Sequence, residues 1–285
     1  MKVLILAGGW GTRLGQQTET IPKPMVSIGN KPILWHIMKS YSYYGFHDFI
    51  ISCGVKAQVI KNYFSNFDSY NDDFTIDIKT KEITYFNSNK NNNWNVTIID
   101  TGINTLKGAR IKRVEKYIDS DTNMLTYGDG VSDVNIKELL RFHNSHGKTV
   151  TITGVHPPAR FGELIENDGL VTSFTEKPQT SVGLINGGYM VFNKELLSYL
   201  STDEKCDLEI GAFEQLVKNN QVMVFKHEGN WECMDHERDV EYLNNLWNKN
   251  WRIKFIAKFF DNFFQILCIC FVKKQPYCIH FLILF

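Results

Sequence analysis

A chain of 285 residues, 43% hydrophobic and 22% charged, is long and apolar enough to bury the core of one large soluble domain. That balance excludes a disordered, collagenous or disulfide-scaffold protein. The 31 basic and 31 acidic residues cancel, which argues against a general nucleic-acid binder.

Residues 2–6 form a short apolar run closed by Ala7-Gly8-Gly9, the pattern of a strand buried on both faces. The run is too short for a signal-peptide core. Residues 32–44 carry apolar side chains at helical spacing and stop at Gly45, as a helix does. Residues 48–54 read as a second buried strand and 57–67 as a second amphipathic helix. Strand, loop, helix, strand, helix predicts a wound α/β sheet with right-handed crossovers. A polar loop at 87–93 precedes a strand at 95–100. A helix at 108–117 carries Arg110, Lys112 and Arg113. The strand at 123–127 ends in Gly128-Asp129-Gly130, and Asp133 is placed to cap a helix at 136–146. After a strand at 148–155 the pattern loosens into short strands and turns around Pro157-Pro158, Asn167-Asp168-Gly169 and Asn186-Gly187-Gly188. A helix at 238–247 closes the body.

The last 35 residues are of different material. They hold five Lys/Arg and one Asp, net +4, which leaves the first 250 at −4. Cys53, Cys206 and Cys233 are scattered through the body, while Cys268, Cys270 and Cys278 crowd the tail. No set of these has metal-ligand spacing, and scattered thiols suit a reducing compartment. The body is therefore expected to be cytoplasmic.

Three stretches carry chemistry. In Leu6-Ala7-Gly8-Gly9-Trp10-Gly11-Thr12-Arg13-Leu14 a glycine-rich turn leaves a buried strand, so backbone N–H groups can approach a polyphosphate while Thr12 and Arg13 add donors. It is not a P-loop, lacking Gly-Lys-Ser/Thr at the required spacing. Leu14 stands where a dinucleotide fingerprint needs its third glycine. Lys23, between Pro22 and Pro24, is expected on a stiff, extended segment that fixes its ammonium. Asp129 lies just past a strand's carboxyl end, where open α/β sheets bind ligands. A carboxylate with phosphates is the usual way to hold Mg²⁺, and Asp235 is the candidate second carboxylate. The eight histidines form no ligand set. His36 reads as a packing residue and His143 with His146 as a solvated helix face, while Trp35, Trp94 and Trp231 fit either packing or a site lining.

These motifs together resemble the sugar-1-phosphate nucleotidylyltransferases, from residue 1 to about 248. The resemblance rests on LAGGWGTRL (6–14), PKPM (22–25), KPILWHIM (31–38), WNVTIIDTG (94–102), LTYGDGVSD (125–133), FGEL (161–164), TEKP (175–178), INGGY (185–189) and the closing Met234-Asp235 and Arg238-Asp239. Thymidylyl relatives typically show GDN for GDG, so YGDGVSD, with WHIM and WNVT, points to the cytidylyl branch. The resemblance implies a Rossmann-like α/β fold, a mostly parallel mixed sheet flanked by helices with a smaller β-rich sugar-binding region. It implies transfer of a cytidylyl group from CTP to glucose 1-phosphate with Mg²⁺, no covalent intermediate, and a homo-oligomer, often a hexamer, serving CDP-dideoxyhexose and O-antigen synthesis.

Carried over by residue, Leu6 to Arg13 (Leu6, Ala7, Gly8, Gly9, Trp10, Gly11, Thr12, Arg13) would wrap the nucleotide. Lys23 would meet a phosphate, and Thr105, Arg110 and Gly128 would contact the nucleotide. Asp129 and Asp235 would bind Mg²⁺, and Glu176, Lys177, Asn186 and Gly187 would hold the hexose phosphate. Arg13 and Lys23 would act catalytically. Two alternatives stand: a uridylyl- or thymidylyl-type enzyme on the same fold, and a non-catalytic sugar-nucleotide sensor. Intact Arg13, Lys23, Asp129 and Asp235 argue against the sensor. The catalytic domain is expected to span residues 1–250. Residues 251–285 depart from the family; a frame-shifted translation product is favoured over a membrane-surface anchor or an oligomer contact.

Overall fold

The run Val-Leu-Ile-Leu-Ala is strand β1, Val3–Ala7, buried along its whole length. The computed structural model describes residues 1–86, 93–157, 163–167, 170–175 and 183–249. Glu176, Lys177, most of the polar loop and the tail at 251–285 lie outside the described residues. Successive side chains of a strand point to opposite faces, so Val3, Ile5 and Ala7 enter one core and Leu4 and Leu6 another. A strand that feeds two cores belongs at the middle of a sheet covered on both sides.

Six more strands complete the sheet: β2 Asp48–Cys53, β3 Asn95–Asp100, β4 Thr122–Tyr127, β5 Val150–Val155, β6 Ile185–Asn193 and β7 Val222–His227. Their order is β7-β5-β6-β4-β1-β2-β3. Only β6 runs against its neighbours; the other pairings are parallel. The fold is the expected mixed, mostly parallel α/β sheet.

Among the described residues, the α-helices of seven residues or more are α1 Ile33–Tyr43, α2 Ala57–Ser65, α3 Lys107–Arg113, α4 Ile136–His146 and α5 Glu237–Asn248. Ile33, Ile37 and Met38 of α1 share the first core with Val240 and Leu243 of α5. The second core takes Ile111 of α3, with Leu196 and Leu197 from the single-turn segment Lys194–Tyr199.

Several expectations need correction. The helix expected at 57–67 breaks after Ser65, because the Asn66 amide bonds back to the Asn62 carbonyl and Ser65 hydroxyl, an alternative to the helical ladder; a short helix, Phe67–Asn71, follows. The helix at 108–117 ends at Arg113, where Val114 bonds the carbonyl three residues back and the chain tightens into a turn at Glu115–Tyr117. Asp133 does not cap α4. Asn135 does, accepting from the Glu138 N–H, while Asp133 pairs with His227 at 2.9 Å and Asn230 at 2.9 Å. The expected solvated face does not hold for His143, which is buried and meets Thr151 and Asn193, while half-buried His146 reaches the same Thr151 hydroxyl. His36 is a packing residue, donating to the Ile28 carbonyl and lying edge-on to Trp35 and Trp247.

The looser region after residue 155 holds a hairpin, Glu163–Asn167 with Leu170–Thr175, before β6. Where turns are expected at 186–188, β6 is a nine-residue strand in the centre of the sheet. Among the described residues, no helix is long and apolar enough to cross a membrane.

Candidate active site

Parallel neighbours deliver their exits to the same edge. β1 and β4 pair in register, Leu6 opposite Tyr127, so the glycine loop and Gly128-Asp129 emerge side by side. Gly128 donates from its N–H to the Leu6 carbonyl at 3.0 Å. A Cβ on Gly128 would stand 2.8 Å from that oxygen and 3.0 Å from Pro24 Cγ, a contact backbone cannot relieve, so only glycine fits. Gly11 has φ of 68°, a conformation open to glycine at little cost.

The site's second half arrives by a short sheet. Gly130–Ser132 pairs antiparallel with Trp231–Cys233, and the Met234 N–H donates to the Asp129 carbonyl at 2.9 Å. Asp235, 106 residues downstream of Asp129, is thereby brought opposite it. Its own backbone is held by Asp239, which accepts from the Asp235 and His236 N–H groups as α5 begins.

Lys23 stands between the two acids. Its Nζ lies 2.7 Å from Asp129 Oδ2 and 2.7 Å from Asp235 Oδ1, and its side chain is only 11% exposed. Arg13 Nη1, on a side chain 64% exposed, reaches the other Asp235 oxygen at 3.1 Å. The lysine segment is not extended as expected. Pro22 is extended, but Lys23–Met25 is one tight turn closed by Met25 N–H to the Pro22 carbonyl.

Burial works against the Lys23 charge, yet Asp129 and Asp235 outweigh it and raise its pKa above the ordinary lysine value. Burial likewise opposes the Asp235 carboxylate, but Lys23 and then Arg13 hold its pKa down. Cys233 Sγ lies within 4.8 Å of the two carboxylates, and burial followed by the Asp129 charge pushes its thiol pKa up. The two carboxylates are hard oxygen donors of the kind Mg²⁺ takes, whereas the neutral Cys233 thiol beside them is a poor ligand for it and lacks the thiolate a softer metal would seek.

Glu232 faces the other way on the same short strand. Burial first, and then the Asp239 charge, push its pKa up to about 7, against the pull of the Tyr242 hydroxyl. The folded chain thus holds a proton that the unfolded chain releases between 4.5 and about 7, so stability falls as pH rises through that window. Thermal melts across it should show that slope in the natural protein and a flatter profile in Glu232→Gln. Parallel profiles would remove Glu232 as the cause.

On the sugar side, antiparallel β6 begins at the edge where β4 ends. The Asn186 amide donates to Tyr127 Oη at 3.2 Å, and the Gly187 carbonyl accepts from Trp231 Nε1 at 2.7 Å. Trp231 therefore borders the site, whereas Trp94 packs among Trp35, Phe49 and Phe67. Tyr127 donates its hydroxyl to Glu209 at 2.6 Å, and Glu209 is paired with Lys107. Tyr127 lies within the YGDGVSD motif, whereas Glu209 and Lys107 had no motif to mark them.

Thr105 and Arg110 lie beneath the loop, not on its open face. Arg110, 4% exposed, donates to the carbonyls of Gly8, Cys53, Gly102 and Ile103 and to the Thr101 hydroxyl. Thr105 donates to the Thr101 carbonyl and accepts from Arg113. The Arg110 guanidinium thus bonds the backbone of the glycine loop and of the 102–103 segment from below.

The family model for nucleotidyl transferases matches residues 2–250. A glucose-1-phosphate cytidylyltransferase of Salmonella typhimurium is 45% identical over 250 residues, 87% of this chain and 96% of that protein. The crystal structure of HddC from Yersinia pseudotuberculosis complexed with GMP-PN superposes with a TM-score of 0.61 at 25% identity, covering 86% of this chain and 99% of that one. A UDP-glucose pyrophosphorylase complexed with UDP-glucose shares the fold at 15% identity and a TM-score of 0.62, over 87% of this chain and 98% of its own. A match across almost the whole described body, with a relative of nearly equal length, means that this chain belongs to the nucleotidyl transferase family.

Proposed function

We propose that the protein transfers the cytidylyl group of CTP to α-D-glucose 1-phosphate, giving CDP-glucose and diphosphate. The observation that carries the chemistry is the gathering of Arg13, Lys23, Asp129 and Asp235 beside the Gly8–Gly11 loop. The base and the sugar follow from the Salmonella typhimurium relative. Asp129 and Asp235 are the residues that would hold Mg²⁺, which their carboxylate oxygens suit. When bound, Mg²⁺ supplies positive charge to the reacting phosphates.

A phosphate oxygen of glucose 1-phosphate forms the new bond to the α-phosphorus of CTP as the bond to diphosphate breaks in line with it. No side chain needs to enter a covalent intermediate, so the protein's contribution is positioning and charge stabilisation. The loop N–H groups from Leu6 to Arg13 cradle the nucleotide phosphates. Arg13 and Lys23 bring cations to the oxygens that gain charge. Asn186 and Gly187, with Glu176 and Lys177, orient the sugar phosphate for attack. Residues 1–250 are the catalytic unit in this reading, with 251–285 an appendage, and the setting is a cytoplasmic homo-oligomer feeding CDP-dideoxyhexose synthesis.

Diphosphate release measured with CTP, UTP, dTTP, ATP and GTP, each with Mg²⁺ and glucose 1-phosphate, tests this. CTP is expected to exceed every other nucleotide by more than about tenfold in kcat/KM. Release led by another nucleotide would move the base specificity, and no release from the folded protein would return the sensor reading.

A further inference from the structure

Four charged groups meet at the edge of the sheet, and their formal charges cancel: Arg13 and Lys23 against Asp129 and Asp235. The Lys23 ammonium is equidistant from both acids at 2.7 Å. Carboxylate oxygens of the two acids lie within 4.8 Å of one another, and like charges at that range repel unless a cation stands between them. The ammonium therefore occupies the place a divalent ion would take between Asp129 and Asp235.

The Lys23 backbone cannot move far. Its turn is closed by Met25 N–H to Pro22 and Val26 N–H to Lys23, and Pro24 and Met25 are buried. The stem of the side chain, in contrast, runs under the phosphate loop: a Cβ added to Gly11 would lie 3.2 Å from Lys23 Cβ. The four-carbon stem is the mobile part. From this anchor, the ammonium can reach either the two acids or anionic groups cradled by the loop.

We propose that Lys23 is the resident counter-ion of the Asp129–Asp235 pair, which a divalent cation must displace, and that nucleotide phosphates receive the displaced ammonium. The inference rests on the reading of Asp129 and Asp235 as the metal-holding pair. It makes nucleotide and metal binding a coupled exchange. Metal alone has to break two ion pairs and leaves the four-group cluster at +2. Metal arriving with phosphates breaks the same pairs but gives the ammonium a new anionic partner. The apparent affinity for metal alone is thus reduced by the fraction of molecules in which Lys23 has left the acids.

Mn²⁺ alone, with no nucleotide, is the probe, its free concentration followed by electron paramagnetic resonance. Lys23→Met and Lys23→Gln are expected to bind Mn²⁺ at least about tenfold more tightly than the natural protein, a coupling within the ordinary range for linked sites. Adding Asp129→Asn to either variant should abolish the gain. Near-UV circular dichroism establishes that each is folded, and Lys23→Gln keeps hydrogen-bond donors in place if methionine disrupts the site. Equal Mn²⁺ affinity in the natural protein and both variants, lost on Asp129→Asn, would overturn the exchange and leave the metal pair standing. Mn²⁺ binding indifferent to Asp129→Asn would overturn the metal pair and the exchange together.

Discussion

Asp129→Ala is expected to lower kcat/KM for diphosphate release by about 10²-fold or more, the scale seen when one preorganised charge-stabilising group is removed. The substitution deletes charge and little else. The Asp129 backbone still accepts from Met234, and the pairing of Gly130–Ser132 with Trp231–Cys233 needs no side chain from it. Lys23 keeps Asp235 as a partner, so the fold should survive and the thermal midpoint should stay near that of the natural protein. Arg13→Ala is expected to lose a similar factor, because its exposed guanidinium is free to turn from Asp235 to a phosphate. Asp133→Ala supplies the control: its carboxylate lies four residues away but faces His227 and Asn230, and its loss should cost under about fivefold. A drop below about fivefold for Asp129→Ala or Arg13→Ala would withdraw that residue's assigned role. Equal losses at Asp129 and Asp133 would mean that the effect is structural.

What the sequence shows and hides follows from how local each signal is. β1, β2 and β4 are short apolar runs punctuated by Gly9, Gly54 and Gly128, and a run with a glycine at its end reveals both the strand and the loop that carries the chemistry. The same rule misleads at Asn186-Gly187-Gly188. Those glycines read as a turn, yet they begin the central strand β6; Gly188 has φ of 80° and lies where a Cβ would strike the Tyr127 ring. Here glycine serves close packing, a tertiary cause invisible locally. Asp235 is a similar case. Nothing in its spacing from Asp129 reveals the pairing, which is made by two three-residue strands; the need for a second carboxylate made it a candidate, and family likeness gave it weight. Glu209 sits in an irregular turn, Leu208–Phe213, with Gly211 at φ of 106°, and only the folded chain brings it to Tyr127. Periodicity shows which side chains a helix buries, but not what a buried cation will bond.

Arg110 is the sharpest instance, and Arg110→Ala is expected to destabilise the protein by about 3–5 kcal/mol. Five hydrogen bonds are lost; the Gly8 and Cys53 carbonyls keep donors from Val55 and Thr101, while those of Gly102 and Ile103 lose the guanidinium at the edge of the emptied space. A buried acceptor left without its partner costs more than the bond contributed, and the emptied volume adds to that. Burial pulls the guanidinium pKa below its ordinary value, and Asp100 works in the opposite direction. At the scale of a domain of this size the thermal midpoint should fall by roughly 10 °C. Gly8 is the link to function: its carbonyl takes both the Arg110 guanidinium and the Val55 N–H, and these two donors fix the loop's first glycine from below. Releasing one of them should raise the KM for nucleotide as the loop loosens. Arg110→Lys, whose single ammonium cannot span the same oxygens, should fall between the two proteins in both midpoint and KM. A nucleotide-contacting Arg110 would behave differently, raising KM while leaving the melting of the ligand-free protein untouched. The thermal midpoint without ligand, set beside the KM for the same variants, therefore separates an arginine that holds the loop from one that holds the substrate.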